Sequence, residues 1–238
     1  MITNLVVVGS HLTTFRKSVA YDVLMRLPML AWTIGLAIGL AITLVIEFQQ
    51  YRHTVGPKTL DLAYVLNVAM RLSVIAYLII LIATVAVRRP PLRRARGAEP
   101  RITAFCGSFL ITTVVLFPRC ELSPVIGCMS TLLVLVGDLI AIIVLVQLRG
   151  SFSIMAEARQ FNTSGVYRVI RHPLYLAEEV ATIGGVMQYL SIWTGMLLLL
   201  QIVCQIRRMT NEETVLMDVF PEYRNYKHNT ARIIPGLY

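Results

Sequence analysis

Ser164-Gly-Val-Tyr-Arg-Val-Ile-Arg-His-Pro-Leu-Tyr175 sets two arginines, a histidine and two tyrosines between strongly apolar stretches. A plain membrane anchor has no use for such a cluster. A second polar block follows the next apolar stretch: Glu212-Glu213, Phe220-Pro-Glu-Tyr223, Tyr226 and Arg232-Ile-Ile-Pro-Gly236. Between them, residues 174–206 are apolar except at Gln188-Tyr-Leu-Ser-Ile-Trp-Thr-Gly195, which reads as a tight turn between two helices. If the block is a hairpin, both polar clusters lie on one side of the membrane. If it is one helix, they lie on opposite sides.

Composition requires a membrane. The chain has 238 residues, 56% hydrophobic and 15% charged, against about 25% charged in a soluble domain. The net charge of +9 does not imply nucleic acid, because the basic residues fall between apolar spans rather than on one face. A helix needs about 20 apolar residues to cross the hydrocarbon core. Residues 27–46, 60–87, 102–117 and 125–148 are four candidates, and the hairpin adds two shorter arms of 14–17 residues. Six spans put 18 Lys and Arg on one side and 3 on the other, with Arg71 inside a span. That asymmetry assigns both termini and both clusters to the cytoplasm. The expected fold is therefore all-α: a polytopic transmembrane helical protein of about six spans, the last two a hairpin, followed by a cytoplasmic helix.

Within the first cluster, Pro173 suits the first position of a helix, where its missing N–H costs nothing. His172 then stands at the cap, and the first backbone amides form a site for a carboxylate or phosphate, flanked by Arg168 and Arg171. On that helix Tyr175 and Glu179 lie four apart and share a face, with Glu178 one position aside. Carboxylates in lipid are costly and are functional candidates by default; a cation held against Glu178 and Glu179 would offset the cost. Arg and His as snorkelling residues, with Tyr in an aromatic belt, is the alternative for each residue taken singly. Glu212 and Glu213 follow Arg207-Arg208, and taken alone they are better explained by an exposed helix with an Arg208–Glu212 pair.

Asp138, inside a span, calls for a partner. Arg71 is the obvious one, as helix–helix glue. Arg88-Arg-Pro-Pro-Leu-Arg-Arg-Ala-Arg96 reads as a stop-transfer signal that also touches anionic headgroups. Cys106, Cys120, Cys128 and Cys204 have no CxxC or His at ligand spacing, so neither a disulfide framework nor a metal site is expected. His11, His53 and His228 are isolated. The run Leu5–Val8 is too short for a signal peptide, and Arg16 and Lys17 follow it rather than precede it. Nineteen Arg against three Lys fits a GC-rich genome and a bacterial cytoplasmic membrane.

Ser151-Phe-Ser153, the Ser164–Tyr175 cluster, Glu212-Glu213, Tyr223, Tyr226 and Arg232-Ile-Ile-Pro-Gly236 occur in an order that resembles the isoprenylcysteine carboxyl methyltransferase and phospholipid methyltransferase family. The resemblance covers roughly residues 145–238, about 40% of the chain, and divides it into four N-terminal spans (1–148) and a methyltransferase-like region (149–238). Val166, Ala177 and Ala156 depart from the family's usual Pro, Gly and Pro. Ala177 is expected to narrow the space beside a cofactor. The resemblance implies an integral membrane enzyme using S-adenosylmethionine. By position, Tyr167, Arg168, His172, Tyr175, Glu213 and Arg232 would form its pocket, with Pro173 and Glu212 beside them. Arg171 or Arg232 would orient a carboxylate acceptor; Glu178, Glu179 or His172 would take the proton from an amine. The acceptor would be a lipid-like or prenylcysteine-like amphiphile, and nothing names it or the oligomeric state.

Two other readings stay open. A sterol-reductase-like enzyme has a similar polar C-terminal region, resembling Ile233-Ile-Pro-Gly-Leu-Tyr238, and would use NADPH. A non-enzymatic scaffold would only hold lipid headgroups.

Overall fold

A computed structural model describes residues 19–54 and 61–236. His11 and the Leu5–Lys17 stretch lie outside the described residues. Among these residues, six longer helices and one short one follow in order: α1 (Val19–Thr54), α2 (Leu62–Ala86), α3 (Glu99–Phe109, extended as a 3-10 turn over Leu110–Leu116), α4 (Pro124–Leu148), α5 (Pro173–Met187), α6 (Ile192–Val219) and α7 (Tyr223–Asn229). The fold is all-α, apart from a ribbon of two residues per strand, β1 (Arg93–Arg94) antiparallel to β2 (Glu157–Ala158). Among the described residues, four helices are long and apolar enough to cross a membrane: Asp22–His53, Leu62–Ala86, Glu99–Leu116 and Pro124–Ser151.

Local chemistry sets the helix ends. Asp61 caps α2 by accepting from the Ala63 amide. Ser123 and Pro124 start α4, with the Ser123 hydroxyl accepting from Ile126. Ser191 and Thr194 form a reciprocal capping box at the start of α6, satisfying donors that a helix start leaves orphaned. Residues 188–191 are thus the hairpin turn. At 15 residues, α5 rises about 22 Å, short of the hydrocarbon core of about 30 Å. The apolar part of α6 ends at Ile206, and Arg207 onward continues the same helix into polar surroundings.

The tightest seam joins α4 to α5. A Cβ on Gly137 would stand 2.5 Å from the Ala181 amide nitrogen and 2.7 Å from the Ala177 carbonyl oxygen. Ser130 donates to the Gly184 carbonyl oxygen at 2.7 Å. Small residues that let backbones approach are the usual basis of association in lipid, where burial from water offers no drive. Ala177 stands at this seam, its carbonyl oxygen towards Gly137 and its side chain buried in the core. Gly137→Val is expected to lower the melting temperature of detergent-purified protein by several degrees, since two backbones must separate. An unchanged melt would mean that the seam is not tight.

Polar groups between the spans pair differently from expectation. Arg71 reaches back to α1, 2.7 Å from Glu47 and 3.4 Å from the Thr43 hydroxyl. Asp138 accepts from Ser73 at 2.8 Å. The Arg71–Asp138 pair is therefore replaced by two separate links, α1–α2 and α2–α4. The arginine loop is divided. Arg88 and Arg94 turn inward onto Asp22, at 3.2 and 3.3 Å, while Arg89, Arg93 and Arg96 stay exposed. Arg26 and Arg159 join the same carboxylate at 2.6 and 3.2 Å.

Candidate active site

The two polar clusters meet. Residues 170 and 231 form a parallel bridge, with the Arg171 amide donating to Ala231 O at 2.9 Å and the His172 amide to Arg232 O at 3.1 Å. The loop before α5 and the tail after α7 are thereby laced together, which requires the hairpin. His172 stands at the start of α5 with Pro173 as first residue, as the sequence predicts.

Glu213 is the hub. His172 Nε2 lies 3.0 Å from its carboxylate, Lys227 Nζ 3.0 Å, Arg232 Nε 3.3 Å and Arg171 Nε 3.5 Å. Burial alone would raise its pKa. The His172 hydrogen bond and charge, then Lys227 and Arg232, outweigh burial and hold it at about 2. Arg232 also donates to Thr210 Oγ1 at 2.7 Å, and Arg171 to the Lys227 carbonyl at 3.0 Å.

Above this hub lies a cleft of about 70 Å³, small beside the roughly 300–1,000 Å³ typical of small-molecule sites. Of the candidates, Tyr167, Arg171, His172, Tyr175, Glu178 and Glu212 form its wall. Glu213 and Arg232 are buried beneath it, Pro173 is packed in the helix start, and Arg168 is exposed to the side. Tyr175 donates to Glu212 at 3.1 Å, and Arg208 lies over the Tyr175 ring at 5.0 Å. The expected Arg208–Glu212 pair is thus replaced. Arg208 instead donates to Gln205 at 2.5 Å and to the Ile154 carbonyl at 3.1 Å. Gly107 on α3 leaves room for it: a Cβ there would meet Arg208 Cδ at 2.7 Å.

The two adjacent carboxylates of α5 exchange their expected places. Glu178 shares the cleft wall with Tyr175, while Glu179 turns to Gln201, which donates at 2.8 Å. Tyr77 of α2 donates to Glu178 Oε1 at 2.9 Å, and Gln205 to Oε2 at 3.4 Å. Tyr77, Gln205 and Arg208 were not among the sequence candidates. Nor were Phe161 and Glu157: Glu157 accepts from Ser153 at 2.7 Å and pairs with Arg94 and Arg159. Phe161 packs on Phe220, Tyr223 and Tyr226. Tyr226 donates to the Tyr167 carbonyl at 2.6 Å. Burial raises the pKa of Tyr167 and Tyr223 and pushes Tyr226 to about 12, so all three stay neutral donors.

Residues 129–218 match the sequence profile of the isoprenylcysteine carboxyl methyltransferase (ICMT) family. This part of the chain is similar to that family. Its members are membrane methyltransferases. The matched stretch starts inside α4, earlier than the motif-bearing residues suggested, and takes in the Gly137 seam, the hairpin and Glu212-Glu213. It stops before Tyr223, Lys227 and Arg232. No curated protein sequence matches the chain.

Proposed function

We propose that the protein is an integral membrane methyltransferase that uses S-adenosylmethionine and acts on an amphiphilic acceptor at the cytoplasmic membrane face. Residues 149–238 form the catalytic region, and the four N-terminal spans shape access for the acceptor. The observation that carries the reading is the convergence of both polar clusters, within a family-matched hairpin, on one cleft.

The cleft suits the cofactor's chemistry. Its wall combines a guanidinium and a helix start for a carboxylate (Arg171, His172 with the first amides of α5) with carboxylates for a diol and a cation (Glu212, Glu178) and with aromatic faces (Phe161, Tyr167, Tyr175). Bound there, S-adenosylmethionine supplies an electrophilic methyl group. The chain's own residues would do the rest. Arg171 and His172, fixed by Glu213, anchor one end of the ligand. Glu212, aligned by Tyr175, holds a hydroxyl pair. Glu178, aligned by Tyr77 and Gln205, faces the middle of the cleft, placed to offset a positive charge or to take a proton from an amine acceptor. Alignment and exclusion of water are the main demands of an in-line displacement. Arg232 acts through Glu213 on this reading, rather than on an acceptor. A bacterial inner membrane with both termini cytoplasmic fits the distribution of Arg and Lys.

Isothermal titration of the detergent-purified protein with S-adenosylhomocysteine, with NADPH in parallel, tests the reading. The expected result is micromolar binding of the former alone, weakened about tenfold or more by Glu212→Ala, the loss of a charged hydrogen bond. Binding of NADPH instead would establish the reductase alternative. If folded protein binds neither, the headgroup scaffold takes over.

A further inference from the structure

At about 70 Å³, the cleft above Glu213 must widen before it can admit a small molecule. Arg208 stands in the wall that would have to move. It is 6% exposed and covers the Tyr175 ring at 5.0 Å. Behind it is α3, whose Gly107 lies so close that an added Cβ would stand 2.7 Å from Arg208 Cδ. Movement of Arg208 away from Tyr175 is therefore movement against α3.

A short antiparallel seam joins α3 to α6. At one end Asn211 donates to Glu99 at 2.9 Å and to Thr103 at 3.4 Å. At the other, Gln201 donates to the Gly107 carbonyl oxygen at 3.4 Å. Helical spacing puts residues 99, 103 and 106 on one face of α3, and residues 201, 204, 208 and 211 on one face of α6. This register sets Cys106 opposite Cys204, and the two thiols are hydrogen-bonding neighbours. Both are free, Cys204 buried and Cys106 half-buried. Neither lines the cleft.

We infer that Cys106 and Cys204 form a reversible disulfide that pins α3 to α6 and holds Arg208 on Tyr175, so that the oxidised protein cannot open its cleft. The inference rests on the cleft's being the ligand site proposed above. The oxidant is a peroxide. The Cys106 thiolate attacks one oxygen of hydrogen peroxide, the O–O bond breaks, and a sulfenic acid and one water result. The Cys204 sulfur then attacks the Cys106 sulfur, and the hydroxyl leaves with the Cys204 proton as a second water. An added dithiol returns both cysteines to thiols.

The full chain carrying Cys120→Ser and Cys128→Ser keeps only this pair and is the protein to test. It is treated in detergent with hydrogen peroxide or dithiothreitol, alkylated in denaturant, and separately titrated with S-adenosylhomocysteine. Peroxide should protect both cysteines from alkylation, and dithiothreitol should restore them. Affinity for S-adenosylhomocysteine should fall about tenfold or more on oxidation, as when fewer than about one molecule in ten can open. Cys106→Ser in the same background should bind like the reduced protein and ignore peroxide. Cysteines that stay reactive after peroxide, equal affinity in the two forms, or the same loss in Cys106→Ser would each overturn the inference and leave the methyltransferase reading standing. If the reduced protein itself binds no S-adenosylhomocysteine, that reading fails first and the inference falls with it.

Discussion

Glu213→Ala is expected to destabilise the protein by on the order of 3–5 kcal/mol and to abolish ligand binding in the cleft. Breaking a buried ion pair by removing one partner strands the other charge, and here one carboxylate serves Arg171, His172, Lys227 and Arg232. Their mutual repulsion would push the tail off the loop it is laced to, exposing residues 223–232 to proteases. A melting curve and limited proteolysis read both effects. Glu213→Gln keeps the shape and should fall between. Acid should mimic the loss. Because the folded pKa lies near 2 against an ordinary 4.5, the stabilisation is complete above about pH 4.5 and fades as pH falls toward 2. Wild-type protein should therefore lose melting temperature faster than Glu213→Gln across that window. Parallel curves would remove Glu213 from its central position.

Glu178→Gln should lower turnover on an amine acceptor by about 10²-fold or more, the usual range for losing a general base. Affinity for S-adenosylhomocysteine should change far less, since the amide retains the hydrogen bond from Tyr77. Production of S-adenosylhomocysteine with phosphatidylethanolamine as acceptor gives the first number, and calorimetry the second. Tyr77→Phe should move turnover in the same direction by less, because it frees the carboxylate without removing it. A farnesylcysteine acceptor, attacking through its carboxylate, needs no base, so with it the Glu178→Gln loss should shrink. If turnover is untouched with both acceptors, Glu178 has no part in the chemistry.

The convergence of the two clusters was legible because a broken apolar block with polar residues at both ends permits few geometries. Its register was not. Whether Glu178 or Glu179 faces the cleft depends on how α5 is rotated, and the close approach at Gly137 sets that rotation. Such a contact between helices leaves no periodic signal. The Arg71 partner was missed for a local reason. The first span was expected to end at residue 46, whereas α1 continues to Thr54 and carries Glu47 opposite Arg71. At its other end α1 begins at Val19, eight residues before the expected span, and this brings Asp22 to the arginine loop. In both cases a helix longer than its apolar core supplied the missing carboxylate.

The Asp22 cluster has a practical consequence for protein engineering. It ties the first helix to Arg88 and Arg94 from the middle of the chain and to Arg159, 137 positions away. Grafting the N-terminal helices of one relative onto the hairpin of another would split this set, leaving Asp22 with Arg26, Arg88 and Arg94 but breaking its link to Arg159 and that of Arg94 to Glu157. Chimeras joined between residues 96 and 157 should therefore express poorly unless the carboxylate and its arginines are transplanted together.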